Sequence, residues 1–578
     1  MQQDQIAPPQ VAAVTEPLYP TQLRMPQPER LALSASLMAF LSACGGGGSD
    51  TASPAAVAPP TSTPSSTPSS TPISQAAAAR FLLQAQMSAS DVDIAAVQAQ
   101  GYSAWLLAQM SAPISETGWD WLMRQGYNVE GAVFSSAPAD YMAWNQLIAS
   151  PDAVRKRLAL AWTEIMVVSS NSMAIQYRSF AMAAYWDTLN ASVLGTYRSL
   201  LENITLNLAM GSYLNTRGNL KENPATGAQP DENYAREVLQ LFSIGLVELE
   251  ANGQPKLVAG QPKETYSQTD ITNLARVFTG YDYDLTGHVT FTNPLRVRNP
   301  MALNPAKHSN LQASFLRTTI PANTEGRVAL KTALDTIADH PNVGPFIAKQ
   351  LINRLVTSNP SPAYVQRVAS VFNKPGARGD LRAVTAAVLL DDDARGEAAL
   401  TVPTAGKLRE PILRFVQWAR SFNASSASDR WRIVDQSNSA TQLGQSPLRS
   451  PSVFNFFRPG YIPPNTAMAA QQLTAPEFQI ANESTVAAYV NFMTTVVRSG
   501  TADVKSIYAT EMALAGDPAG LLKRLNLLLT ANQLSTGSVA LIVNAVTQMP
   551  NANNTDSQNR VYAAVLLVMA CPEYLVQK

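Results

Sequence analysis

Thiols and imidazoles are scarce in this chain, with two cysteines and three histidines among 578 residues. Two cysteines build neither a disulfide framework nor a thiolate metal site. Zinc sites draw three or four ligands from His, Cys and carboxylates, and His288, His308 and His340 are scattered without HExxH or paired spacing, which argues against a zinc hydrolase. Net charge is missing too. Forty-two Lys and Arg balance forty-two Asp and Glu, so no overall field draws the chain to nucleic acid, which is not an expected partner. No G-x-S-x-G elbow, P-loop or G-x-G-x-x-G is present, and no motif names a cofactor. Serine hydrolysis is therefore unsupported, although a triad need not be contiguous in sequence.

What is present is ample core material, with 46% apolar and 15% charged residues, as in globular chains. The thirteen residues "LALSASLMAFLSA" (31–43) are too short to span a bilayer as a helix but suit the core of a secretory signal. With Cys44 they end in Leu41, Ser42, Ala43 and Cys44, the pattern of a bacterial lipobox, and four glycines follow. The expectation is cleavage before Cys44, lipidation of its thiol and anchoring to a membrane by several acyl chains. Gly45 stands where an Asp would signal inner-membrane retention, so the expected place is the outer membrane, facing the periplasm or the surface. The leader is 1–43, and Met25 is an alternative start that shortens its polar beginning. Residues 44–74, rich in Gly, Ser, Thr and Pro, read as a disordered tether with nothing to bury.

From Ser74 the pattern becomes helical. Ser74 reads as an N-cap before "QAAAARFLLQAQ", and "VRKRLALAWTEIMVV", "TYRSLLENITLNLAM" and "RVALKTALDTIADH" place apolar residues three and four apart. Strict alternation is scarce. The expected fold class is mainly α, a large multi-helix globular body over 75–578 with twelve or more helices and long irregular loops, among them 281–325.

Several stretches carry candidate chemistry. In "PDENYAREVLQLFSIGL", Asp231 reads as the N-cap and Gly245 as the stop, with Asn233, Arg236, Glu237 and Gln240 forming a polar stripe able to line a cleft. "TYSQTDITNLARVFTGY" offers Tyr266 and Gln268 beside a capped helix, where Asp270 suits the first turn. His308, in "NPAKHSN" within a long loop, is the histidine best suited to a general base; His340 before Pro341 reads as a helix-end cap. "DYDLTGHVTFTN" begins like a calcium loop, but Asn293 replaces the bidentate acid at its end. "SVFNFFRPGYIPPN" sets Arg458 and Tyr461 among phenylalanines, either to anchor a partner or to clamp helices.

These stretches, with "DTIADHPNVGPFIAKQLINRLV", "GDLRAVTAAVLLD" and "LGQSPLRSPSVFNFFRPGYIPP", occur in one order that resembles the bacterial family catalogued as Domain of Unknown Function 1800, from about Ala77 onward. The resemblance implies a predominantly helical, secreted or envelope-associated protein, with a secreted sulfatase-like protein as partner. It implies no particular reaction. Phe242 stands where many members carry a His, and Asn207 and Leu208 where many carry His-Pro. Two functions are expected to compete: binding or presenting a macromolecule with that partner, and hydrolysis or group transfer on an extracellular polymer, with Glu237 as acid or base, Arg236 orienting an anionic group and His308 assisting.

Overall fold

The computed structural model describes residues 72–286 and 293–578. The leader, the lipobox with Cys44 and nearly all of the tether lie outside the described residues, as do His288 and Gly287 of the calcium-like loop. Among the described residues there are twenty-five α-helices, and ten short strands form five two-stranded antiparallel sheets. The fold is mainly α, as expected, and its helix count agrees with the expected twelve or more. No helix of the described residues is long and apolar enough to cross a membrane.

Local chemistry starts the helices where the residues demand it. Ser74 accepts the Ala77 N–H at 3.1 Å and opens Gln75–Gln86. Ser267 and Asp270 form a reciprocal capping box at Gln268–Val277. Helix Gln75–Gln86 buries nearly its whole length because it packs on Asp91–Gln100 after it, on Ala153–Thr163, and on Pro518–Thr530 near the far end of the chain. Trp121, Trp144, Trp162, Trp186 and Trp418 fill the centre, and rings such as Trp144 and Phe415 meet edge to face 5.0 Å apart.

The long connection 281–325 is not structureless. Tyr281–Asp282 pairs with Ala302–Leu303, and Ala313–Phe315 pairs with Thr318–Ile320 as a hairpin against Gln268–Val277. Asp282, the first residue of the calcium-like pattern, therefore sits in a strand.

Candidate functional site

The helix carrying the polar stripe departs from the expected register. Its α-helical part is only Asn233–Glu237, with Glu232 as N-cap, while Asp231 accepts the Asn233 N–H at 2.8 Å from one position earlier. Residues Val238–Ser243 form a π-helix. Ser243 Oγ donates to the Val238 carbonyl, the Ile244 N–H reaches back five residues to Leu239 at 3.0 Å, and Gly245 then ends the element with φ +72°. Tertiary packing supports the wider turn, since Tyr197 Oη donates to the Phe242 carbonyl at 2.8 Å. Such turns are rare and cluster at functional sites. The π-turn swings Gln240 off the regular spacing, so the α-helical stripe stops at Glu237.

Glu232, which sequence reasoning passed over, gathers the polar groups around it. It accepts from Gln268 Nε2 at 2.8 Å, Thr272 Oγ1 at 2.7 Å and Arg236 Nη2 at 3.1 Å, and the same Arg236 nitrogen also donates to Gln268 at 3.2 Å. Asn233 is exposed beside this cluster. Glu237 is half-buried and its Oε2 has neither solvent nor a hydrogen-bond partner. Burial pushes its carboxyl up while Arg236 opposes the shift. The Tyr266 hydroxyl is likewise buried without a partner, and burial pushes it up to about 12, with Arg236 opposing and Glu237 adding. Tyr213 is pushed up to about 12 by burial and by the Glu237 charge. A carboxyl held toward its neutral form among two phenols and a guanidinium is equipped to give a proton.

His308 is placed elsewhere. It is 4% exposed, with Nδ1 2.9 Å from the Thr279 carbonyl, and no hydrogen bond or ion pair among the described residues joins it to Arg236 or Glu237. His340 is a C-cap, as its place in the sequence suggests: it follows Gly326–Asp339, and its Nδ1 accepts the Asn342 N–H at 3.2 Å. The Arg458 guanidinium lies 4.9 Å over the Phe454 ring, and its backbone N–H donates to Gln479 at 2.8 Å. Tyr461 is half-buried, and its main chain links Arg458 to Ala475. Phe457 is 1% exposed and lies 5.5 Å from the Arg354 guanidinium. The aromatic stretch thus closes over a charged interior.

That interior is the largest feature the sequence did not reveal. Arg157 lies within helix Ala153–Thr163 and Glu164 just after it, Arg354 is in the last turn of Val343–Leu355, and Lys407 and Glu410 precede Pro411–Ser421, while Glu477 comes from Pro476–Ile480. Arg354 Nε lies 2.9 Å from Glu164, Lys407 Nζ lies 3.0 Å from Glu477, and Gln445 Nε2 donates to Glu410 at 2.8 Å. Burial and the neighbouring Glu410 carboxylate push Glu164 well up. Despite its own burial, Glu410 is held down by Lys407, with Arg157 adding. Two carboxyls in one dry site favour keeping one of them neutral.

A cleft of about 900 Å³ opens beside the Gly326–Asp339 helix. Thr332, Asp335, Thr336 and Asp339 line it from Gly326–Asp339, with His340 and Asn342 just after that helix and Glu248, Lys256 and Lys263 from the chain before Gln268–Val277. Thr265 and Asp270 reach it from the start of the Gln268–Val277 helix, and the 315–318 hairpin turn supplies Arg317. Among the described residues no group of three or more His, Cys, Asp or Glu is placed to share a metal ion.

A family model described as a protein of unknown function (DUF1800) matches residues 80–576. The chain belongs to the DUF1800 family. No curated protein and no solved structure matches it. The matched span of this DUF1800 chain holds the Glu237 cluster, the ionic interior and the cleft. At the positions where the resemblance implies histidines elsewhere in the family, this chain has structural residues. Phe242 is buried with its ring 6.3 Å from Tyr234, and Asn207 caps Leu208–Tyr213 by accepting the Ala209 and Met210 N–H groups.

Proposed function

We propose that this DUF1800 protein is a lipid-anchored envelope protein that binds a segment of an extracellular polymer, acting with a secreted sulfatase-like partner. The observation that carries the reading is the cleft of about 900 Å³ with polar walls drawn from four separate stretches of chain, a volume within the range of small-ligand sites. Lipidation at Cys44 and the Gly/Ser/Thr/Pro tether agree with it, because a polymer fixed in the envelope requires a binder that is held nearby. The test is native mass spectrometry on protein extracted gently from its own envelope, followed by polymer binding to the extracted chain and to Thr332→Trp, which puts a large ring into the cleft. Diacylglyceryl mass on the chain and binding weakened in Thr332→Trp support the reading. Unlipidated protein, or binding indifferent to the obstructed cleft, overturns it.

A second reading, hydrolase or transferase, is favoured by one observation: Glu237 and Tyr266 each carry a buried, unpartnered oxygen beside Arg236. In this reading Glu237 is the proton donor and Arg236 orients an anionic group. Glu237→Gln then abolishes turnover of the bound polymer while the thermal midpoint stays nearly constant. A large loss of stability with no turnover in the parent marks a structural carboxyl instead.

A further inference from the structure

The charges in the cleft are unequally committed. Glu248 is taken by Lys263 at 2.5 Å and Lys256 at 3.7 Å, and Asp335 by Lys331 at 2.6 Å and Arg198 at 2.7 Å. Asp270 caps its own helix and also accepts the Leu316 N–H at 2.8 Å. Only Asp339 remains loosely held, 77% exposed and 3.8 Å from Arg378. Against these acids stands one cation without commitment. The Arg317 guanidinium makes no hydrogen bond or ion pair among the described residues, yet it lines the cleft and its charge reaches His340.

The backbone presenting Arg317 is unusual. Phe315 pairs with Thr318, so Leu316 and Arg317 are the two central residues of a tight hairpin, with φ of +45° and +64°. Such turns favour Asn and Gly because both residues must enter the left-handed region. Neither Leu nor Arg gains locally from that conformation, and Asp270 anchors the turn through the Leu316 N–H. Strain of this kind is retained where it aims a side chain.

His340 lines the same cleft, and its Nδ1 is occupied by the Asn342 N–H. Burial pushes the imidazole down; Glu248 opposes this, and Lys256, Arg317 and Arg378 reinforce it. A neutral ring with Nδ1 accepting carries its proton on Nε2, a donor that no described group uses.

Resting on the polymer-binding reading, we propose that the cleft selects an oxyanion group on its ligand, a carboxylate or a sulfate ester, with Arg317 as the pairing cation and His340 Nε2–H as a second donor. Arg is suited to this because its planar fork matches both groups. Glu248, Asp270 and Asp335, held by lysines, an arginine and backbone N–H groups, do not repel such a ligand as free carboxylates do, which leaves Asp339 as the one loosely held acid in the lining.

The experiment measures binding of the detergent-solubilised full chain to polygalacturonate, dextran sulfate and neutral dextran by calorimetry, with Arg317→Gln and Thr332→Trp alongside. Arg317 is exposed at a turn, so its replacement leaves the core intact. Binding to a charged polymer and not to dextran is expected. Arg317→Gln weakens it about tenfold or more, the scale of one lost charge-assisted contact. Binding to polygalacturonate alone assigns the carboxylate, and binding to dextran sulfate alone assigns the sulfate ester. Equal binding of dextran that Thr332→Trp blocks overturns the oxyanion selection and leaves the polymer-binding reading standing. Charged-polymer binding untouched by Arg317→Gln also overturns the selection, and failure of all three polymers to bind overturns both.

Discussion

Replacing Lys407 with methionine removes the only ion-pair partner that Glu477 has among the described residues. The two side chains are 0% and 1% exposed, their charged atoms lie 3.0 Å apart, and Lys407 Nζ also donates to the Arg354 carbonyl at 2.9 Å. Glu477 Oε2 is already without a hydrogen bond, so the variant strands a carboxylate in a dry interior, where breaking such a pair costs about 3–5 kcal/mol. With an unfolding entropy near ~2.1 cal/mol/K per residue over roughly 500 folded residues, the thermal midpoint should fall by roughly 3–5 °C. The double variant Lys407→Met/Glu477→Gln removes both charges and should recover all but about 1 kcal/mol, because the penalty comes from the unpaired ion and not from lost attraction. Calorimetric melts of the four proteins complete the cycle. A single variant within 1 kcal/mol of the parent, or a double variant as unstable as the sum of its parts, refutes the account of the ionic interior.

Three further outcomes are expected. Gly280→Ala should cost on the order of 2 kcal/mol or more, since φ is +85° and the new Cβ would meet the Asn304 carbonyl oxygen at 2.8 Å; hydrogen exchange should quicken around His308, and unchanged exchange there counts against the packing argument. His340, held below its usual 6.5, binds fewer protons folded than unfolded, so its contribution to stability is present above about pH 6.5 and lost as pH falls through the lower folded value. Urea midpoints from neutral to mildly acid pH should therefore drop further in the parent than in His340→Gln, and identical slopes contradict the assignment. Asp270→Ala removes the capping box and the anchor of Leu316 together, at a cost of about 1–2 kcal/mol, and it should erase any preference for charged polymers that Arg317 confers. Retained preference in a folded variant would disconnect the turn from the cleft.

Much of the helical architecture follows from neighbours in sequence. Ser74, the Ser267–Asp270 box, Gly245 and His340 act on backbone groups within a few residues, so their roles can be read without knowing what lies across the core. The family, too, is legible as a string of motifs in order. The π-turn after Glu237 is different, because it depends on Tyr197 reaching the Phe242 carbonyl from another helix. His308 looked available in a long loop, but Gly280 and Gly326 let the backbone and a helix start close over it.

The sequence by itself determined a mainly helical body, its caps and its neutral balance of charge. Only the tertiary structure decided where that charge went. Arg157, Glu164, Arg354, Lys407, Glu410 and Glu477 span more than half the chain, and each looks like an ordinary surface residue beside its sequence neighbours. Folding brings them into one dry centre, where opposite charges pair out of water. The same long-range packing carries Arg317, without an ion pair among the described residues, to the cleft that His340 also lines, because ion pairing and burial depend on distance in space and not on spacing along the chain.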